Sequence, residues 1–271
     1  MTPDDLKAFF DRAPEAVAAD PEHPRAHHRL LAALEAGELR AAEPDGLGGW
    51  KANAWVKAAI LAGFRATKIE SMDGPGWPFF DKTAYPARSF NLESGVRLVP
   101  GGSSVRRGAY VSKGVVVMPP AYINVGAYVD EGTMVDSHAL VGSCAQVGRR
   151  VHLSAAAQVG GVLEPAGARP VVIEDDVFVG GLVGLFEGIL VRKRAVLASG
   201  VVITGSTVIY DLVHGKEWVK EIPEDAVVVR GSRPAKGAFA AAQGLHLAAP
   251  VIVKYRDART DASTALEQSL R

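Results

Sequence analysis

The sequence predicts a mainly β protein built around a parallel β-helix, with helices ahead of it and a small strand-and-helix segment behind. Three observations carry this. An aliphatic residue recurs at every sixth position: Val105, Val111, Val117, Ile123, Val129, Val135, Val141, Val147, Leu153 and Val159, then again at Ile173, Val179, Leu185, Val191, Leu197, Ile203 and Ile209. The fifth member of each hexad is small or β-branched, as at Ala109, Val115, Ala121, Ala127, Thr133, Ala139, Ala145, Val151 and Ala157. Glycines stand at regular corners (Gly108, Gly114, Gly126, Gly132), where a coil must turn tightly or at positive φ. A six-residue beat fits neither a helix face nor a simple strand alternation. It fits a triangular coil in which each hexad forms one flat side, the aliphatic and small residues point inward, and coils stack at ~4.8 Å.

The elements follow in order. Residues 1–98 read as a mostly helical domain. Thr2-Pro3 offers an N-cap and an N1 proline ahead of Leu6, Phe9, Phe10 and Val17. Asp20-Pro21 restarts the chain, and Leu30, Leu31 and Leu34 form a second apolar stripe. Trp55, Val56, Ala59, Ile60, Gly63 and Phe64 share one face of a third helix, after a turn at Asp45–Gly49. Residues 66–104 read as irregular, around Gly74-Pro75-Gly76. The β-helix occupies 99–233 with two excursions, one within Gly160–Val172 and a loop over Tyr210–Glu221, and it ends at Gly231-Ser232-Arg233-Pro234. Residues 234–271 hold an apolar strand (Val251–Val253) and a short helix over Ser263–Leu270.

Charge balances at 30 basic against 30 acidic residues, which leaves no basic field for nucleic acid or an anionic membrane. No apolar run approaches the roughly 18 residues of a membrane span. The start, MTPDDLKAFF, lacks the basic and apolar regions of a signal peptide. A single cysteine, Cys144, excludes an internal disulfide framework and suits a reducing compartment, so a soluble cytoplasmic protein is expected.

A β-helix interior is filled by stacked aliphatics, so a site must lie on a flat face, under an excursion, or between subunits. Outward polar residues near the loops are the candidates: Arg97, Arg106, Arg107, Asp130, Glu131, Asp136, His138, His152, Glu164, Asp175, Asp176 and Glu187. Most charged residues on a solenoid are solvated surface. Asp136, directly after inward Val135, stands out: it is suited to hold or deprotonate a substrate ammonium, or to cap turn N–H groups. A zinc site would need His138, His152 and the distant His214 to converge, and no metal is expected. Cys144 reads as a packed or corner thiol.

The stretch Tyr122–Pro165, YINVGAYVDEGTMVDSHALVGSCAQVGRRVHLSAAAQVGGVLEP, followed by VVIEDDVFVGG, resembles the tetrahydrodipicolinate N-succinyltransferase family. The likeness extends to FFDK (Phe79–Lys82) and to PVIVKYRDARTDA from Pro250. GAYVDEGTMVD is far more specific than a generic hexapeptide pattern. The resemblance implies a left-handed coil, a homotrimer with interfacial active sites, no permanently bound cofactor, and succinyl-CoA as co-substrate. The implied reaction is attack of the amine of tetrahydrodipicolinate (as 2-amino-6-oxopimelate) on the thioester, on the diaminopimelate route to lysine. Arg97, in GVRLVPGG, matches the family's substrate-binding arginine, and Asp136 its substrate-contacting aspartate. CoA is expected near Gly181, Ala198, Ser199 and Lys216.

There is one departure. A family branch carries Arg-Ser-Glu-Val-Val-Glu-Gly, whose first glutamate has been proposed as catalytic, where this chain reads Leu182-Val183-Gly184-Leu185-Phe186-Glu187-Gly188. Gly184 takes that glutamate's place, Glu187 keeps the second, and His138 replaces a tryptophan. The readings left open are a dispensable glutamate, a role shared by Glu187 or His138, or a different donor or acceptor. The alternatives in function are a hexapeptide acetyltransferase using acetyl-CoA on a sugar or amino acid, a zinc hydrase, and a non-catalytic scaffold.

Overall fold

The computed structural model describes residues 1–73, 78–257 and 259–261. The helix expected over Ser263–Leu270 and the Gly74-Pro75-Gly76 segment lie outside the described residues.

The six-residue beat forms three parallel sheets whose strands pair with residues one coil away, which is eighteen positions wherever no excursion intervenes. Face I stacks Tyr110–Val111, Tyr128–Val129, Gln146–Val147, Val172–Ile173, Leu190–Val191 and Glu221–Ile222. Face II stacks Arg97–Leu98, Val116–Val117, Met134–Val135, His152–Leu153, Phe178–Val179, Val196–Leu197 and the start of Ala226–Pro234. Face III stacks Ser104–Val105, Tyr122–Ile123, Leu140–Val141, Gln158–Val159, Gly184–Leu185 and Val202–Ile203. The aliphatic and small residues of every hexad are buried in one core running the length of the coil. The fully buried hydroxyl of Thr133 is satisfied: its Oγ1 donates to the Gly148 carbonyl (2.8 Å) and accepts from Val151 N (3.0 Å).

Corners use the left-handed region, by glycine at Gly108, Gly114, Gly126 and Gly132 and by other residues at His138, Cys144, Arg150, Ala156, Asp176, Leu182 and Arg194. A non-glycine residue there is disfavoured by about 1–2 kcal/mol, so the hydrogen-bonded ladder and core of the coil hold it.

Helices α1 (Pro3–Phe10), α2 (Pro14–Ala19), α3 (His23–Glu35) and α4 (Ala54–Ala66) form the N-terminal domain. Thr2 caps α1 in a reciprocal box with Asp5. Val17 belongs to a separate short helix, because Pro14 opens a new N-terminus. The apolar core of these helices continues onto the coil through Val125 and Cys144. Gly108 has φ +78°, and a Cβ there would come within 2.7 Å of Leu31, so the corner needs glycine for both reasons.

Three sequence expectations are corrected. Residues 66–104 are not wholly irregular, since Ile69–Met72 and Phe79–Lys82 pair as an antiparallel hairpin. The second excursion is a hairpin, Val208–Asp211 with Lys216–Val219, rather than a loop; its antiparallel strands need not keep the six-residue beat. The C-terminal strand is not confined to Val251–Val253 but runs over His246–Tyr255, paired antiparallel along Ala226–Pro234.

Candidate active site

The corner between faces II and III forms a continuous rail of small residues and backbone bonds. His138 N donates to the Pro120 carbonyl, Ala156 N to Ser137, Leu182 N to Ala155, and Gly200 N to Gly181. Asp136, Ser137 and His138 stand low on this rail; Gly181, then Ala198 and Ser199, stand above. Three coil steps separate the first group from the last, about 14 Å at the usual strand spacing. Four of the residues singled out in the sequence thus share one corner with Asp136.

Asp136 serves the corner and faces outward at once. Its Oδ1 accepts from Ser137 N (2.7 Å), an arrangement repeated by Asn124 with Val125 N and Asp130 with Glu131 N. Its Oδ2 lies 3.7 Å from His152 Nε2, the carboxylate partly exposed and the imidazole nearly covered. The corner-capping reading is thus realised on Oδ1, while Oδ2 is left facing His152. His152 occupies the outward position of face II between Met134 and Phe178, and meets the Phe178 ring edge-on at 5.1 Å. Arg97 lies on the same face, exposed, below Val116 and Met134. Val116, Met134 and Val196 give this face a buried apolar floor. His138 has φ 62° and an exposed side chain at the same corner.

Glu187 is elsewhere. It sits at the corner between faces III and I, where its Oε2 accepts from Gly205 N (3.0 Å). It lines a cleft of about 880 Å³ with Phe186, Glu164, Arg169 and Lys220, bounded by the first excursion. A single chain does not bring Glu187 to Asp136. The neighbouring Gly184 explains the departure in sequence: a Cβ at 184 would lie 2.7 Å from the Phe186 ring, and one at Gly160 would lie equally close. Phe186 is seated on two glycines, in the space a longer residue at 184 would need.

Lys216 is apart from the rail, on the second hairpin, its ammonium over the Trp218 ring at 4.2 Å. His214 in that hairpin is held by buried Asp211, whose Oδ2 also accepts from Tyr255 OH (2.7 Å). Burial raises the Asp211 pKa, but the hydrogen bonds from Tyr255, His214 and Trp218 outweigh it and hold the carboxyl well below its ordinary range. His214 therefore does not converge with His138 and His152, and no metal-holding group of three is found among the described residues. Burial pushes the Cys144 thiol up to about 12, which makes it a packing group.

Sequence reading missed the groups that dock the N-terminal domain. Lys57 on α4 is fully buried and donates to the carbonyls of Pro165 (3.1 Å) and Ala168 (2.6 Å) in the first excursion. Arg40 lies over the Tyr128 ring (3.7 Å) and donates to Gln146 Oε1 (2.9 Å). No periodic signal links these residues to their partners, which stand about a hundred positions away in the chain.

Residues 6–66 match the family model for the N-terminal domain of tetrahydrodipicolinate N-succinyltransferase, and residues 170–205 that for the hexapeptide repeat of succinyl-transferase. A 2,3,4,5-tetrahydropyridine-2,6-dicarboxylate N-succinyltransferase of Rhodopseudomonas palustris (strain TIE-1) is 44% identical over 273 residues, covering 98% of this chain and 96% of its own. The chain belongs to the tetrahydrodipicolinate N-succinyltransferase family. Enzymes with the same name from Xylella fastidiosa (strain 9a5c; 44% identical, 90% of this chain and 87% of theirs) and Bradyrhizobium diazoefficiens (43%, 97% and 95%) are similar relatives. Among solved structures, a putative 2,3,4,5-tetrahydropyridine-2-carboxylate N-succinyltransferase of Campylobacter jejuni aligns with TM-score 0.52 at 13% identity, over 84% of this chain and 62% of that one. That likeness concerns the fold. No helix among the described residues of this family member is long and apolar enough to cross a membrane.

Proposed function

We propose that this member of the family transfers the succinyl group of succinyl-CoA to the amine of tetrahydrodipicolinate, taken as 2-amino-6-oxopimelate, in the cytoplasmic diaminopimelate route to lysine. The observation that carries the reading is Asp136, partly exposed at the foot of a rail of small residues, with Arg97 on the same face. Arg97 grips a substrate carboxylate through its guanidinium. Asp136 orients the amine and receives its proton, a contribution of about 10²–10⁴ in rate for general base catalysis. The acyl-CoA lies along the rail, where Gly181, Ala198 and Ser199 let a pantetheine chain approach the backbone, with Lys216 reserved for its phosphates. Thioester aminolysis has a good leaving group, so alignment of the two substrates and backbone N–H donors to the oxyanion supply much of the remaining barrier reduction.

The assembly in this proposal is a homotrimer. Asp136 and Glu187 occupy different corners of the solenoid, two coils apart, so a site using both takes Asp136 and His138 from one copy and the Glu187 cleft from the next.

A second reading is favoured by Phe186 on its glycine seat: an apolar ring against Gly184, where the sequence departs from the glutamate that the resemblance implies, suits another acyl donor, acetyl-CoA. Thiol release from succinyl-CoA and from acetyl-CoA, each with and without tetrahydrodipicolinate, separates the two. Acceptor-dependent release from succinyl-CoA is expected. Release from acetyl-CoA alone would move the donor assignment, and no release from either would overturn the transferase reading.

A further inference from the structure

We infer that His152 is a positioning residue for Asp136: it orients that carboxylate and shares the proton that Asp136 takes from the substrate amine. The inference deepens the succinyl-transfer reading and rests on it. Its geometric basis is the 3.7 Å approach of His152 Nε2 to Asp136 Oδ2, the oxygen that the corner turn does not use. One coil of the solenoid sets this approach. His152 pairs with Met134, and Asp136 follows two residues after Met134 at the corner, so imidazole and carboxylate lie on adjacent rungs. The ring is fixed by its edge-on contact with Phe178 on the rung above. The rungs on either side of His152 are apolar, at Met134 and Phe178, so the nearly covered imidazole has Asp136 as its charged neighbour at this approach.

The departure at Gly184 gives the pair its significance. Phe186 fills the space a glutamate at 184 would need, and Glu187 is a corner away with its carboxylate on Gly205 N. Within one chain, His152 is thus the acid–base side chain that approaches the free oxygen of Asp136 on the face that carries Arg97, whatever a neighbouring copy adds.

The proton and electron accounting closes without a further reagent. The neutral amine nitrogen uses its lone pair to form the N–C bond to the thioester carbonyl, and the carbonyl π pair moves onto oxygen. The nitrogen then releases one proton to Asp136 Oδ2, and the Asp136–His152 pair holds it. When the oxyanion re-forms the carbonyl, the C–S bond breaks with its electrons on sulfur. The CoA thiolate takes the shared proton and leaves as the thiol.

The charged groups around the pair are few. His138 stands exposed at the same corner and Arg97 farther down the face. At the start of the His152 strand, Arg150 donates two 2.7 Å bonds to Asp176, near Glu131 and Arg256. The rungs on either side of His152 present Met134 and Phe178.

The test is the pH profile of kcat/KM for succinyl transfer in wild-type protein and in His152→Gln, with both KM values measured. The expected result is a kcat lowered about 100-fold, KM values within about twofold of wild type, and a displaced acid limb. A purely structural histidine would leave the limb where it was. If His152→Gln does not fold, Phe178→Leu keeps the histidine but frees its ring, and is expected to lower kcat about tenfold with the same displacement of the limb. An active wild type with an unaltered profile in the folded variant overturns this inference alone. A wild type that releases no thiol overturns the succinyl-transfer reading and the inference with it.

Discussion

A side chain longer than glycine at position 184 displaces the Phe186 ring, because its Cβ would lie 2.7 Å away. Gly184→Glu is therefore expected to destabilise the protein by about 1–3 kcal/mol, as overpacking does. Phe186→Val in the same chain should restore most of that loss. Urea unfolding of the two single variants and the double variant measures the coupling; strictly additive effects would show that the two positions do not share the space. Arg97→Ala is expected to raise KM for the dicarboxylate by about tenfold or more, as loss of a charged hydrogen-bond pair does, with a smaller effect on kcat. An unchanged KM would remove Arg97 from substrate binding. At this scale the sequence showed which residues are outward and near a corner, because the six-residue period assigns every position to a face. It did not show that Asp136 Oδ2 reaches His152, since that depends on which oxygen the corner turn occupies.

The N-terminal helices illustrate how an element is tuned by one buried ring. His27 on α3 and Tyr85 are both buried, Tyr85 OH donates to the Ile60 carbonyl (2.6 Å), and His27 Nε2 therefore donates to Tyr85 OH (2.8 Å). Gly63 leaves room for this pair, as a Cβ there would collide with both. Burial lowers the His27 pKa from 6.5 to about 4, with smaller contributions from His23 and Arg107. The unfolded chain thus takes its proton near pH 6.5 while the folded chain does not. The stability from neutral His27 is full above that pH and is lost as pH falls toward 4, by up to about 3 kcal/mol. His27→Gln should flatten the fall in unfolding free energy between pH 7 and 4.5; an equally steep fall would place the acid sensitivity elsewhere. Lys57 couples α4 to the first excursion, and Lys57→Met is expected to speed amide exchange across residues 160–171 without altering the coil. Unchanged exchange there would mean that the loop holds its place without the ammonium. The helices were legible from capping and apolar stripes. The antiparallel pairs Ile69–Met72 with Phe79–Lys82 and Val208–Asp211 with Lys216–Val219 were not, because their strands obey cross-strand pairing rather than the beat of the coil.

For the whole molecule, the separation of Asp136 and Glu187 onto different corners makes the proposed trimer testable by complementation. Asp136→Asn and Glu187→Gln, each weakly active alone, should recover about a quarter of wild-type activity when unfolded together and reassembled, since random mixing makes one interface in four intact. Recovery at the level of the separate variants would mean that one chain builds the site by itself. The architecture was the most legible feature of all, because seventeen in-register aliphatics impose one packing solution on the core. Chemistry was less so, because the coil offers the same outward positions many times over. The most direct measurement is thiol release from succinyl-CoA by wild-type protein and by Asp136→Asn, with and without tetrahydrodipicolinate. Release by the wild type is expected only when the acceptor is present, falling about 100-fold in an Asp136→Asn protein of unchanged size. Acceptor-independent release, or equal rates in the two proteins, would contradict succinyl transfer through Asp136.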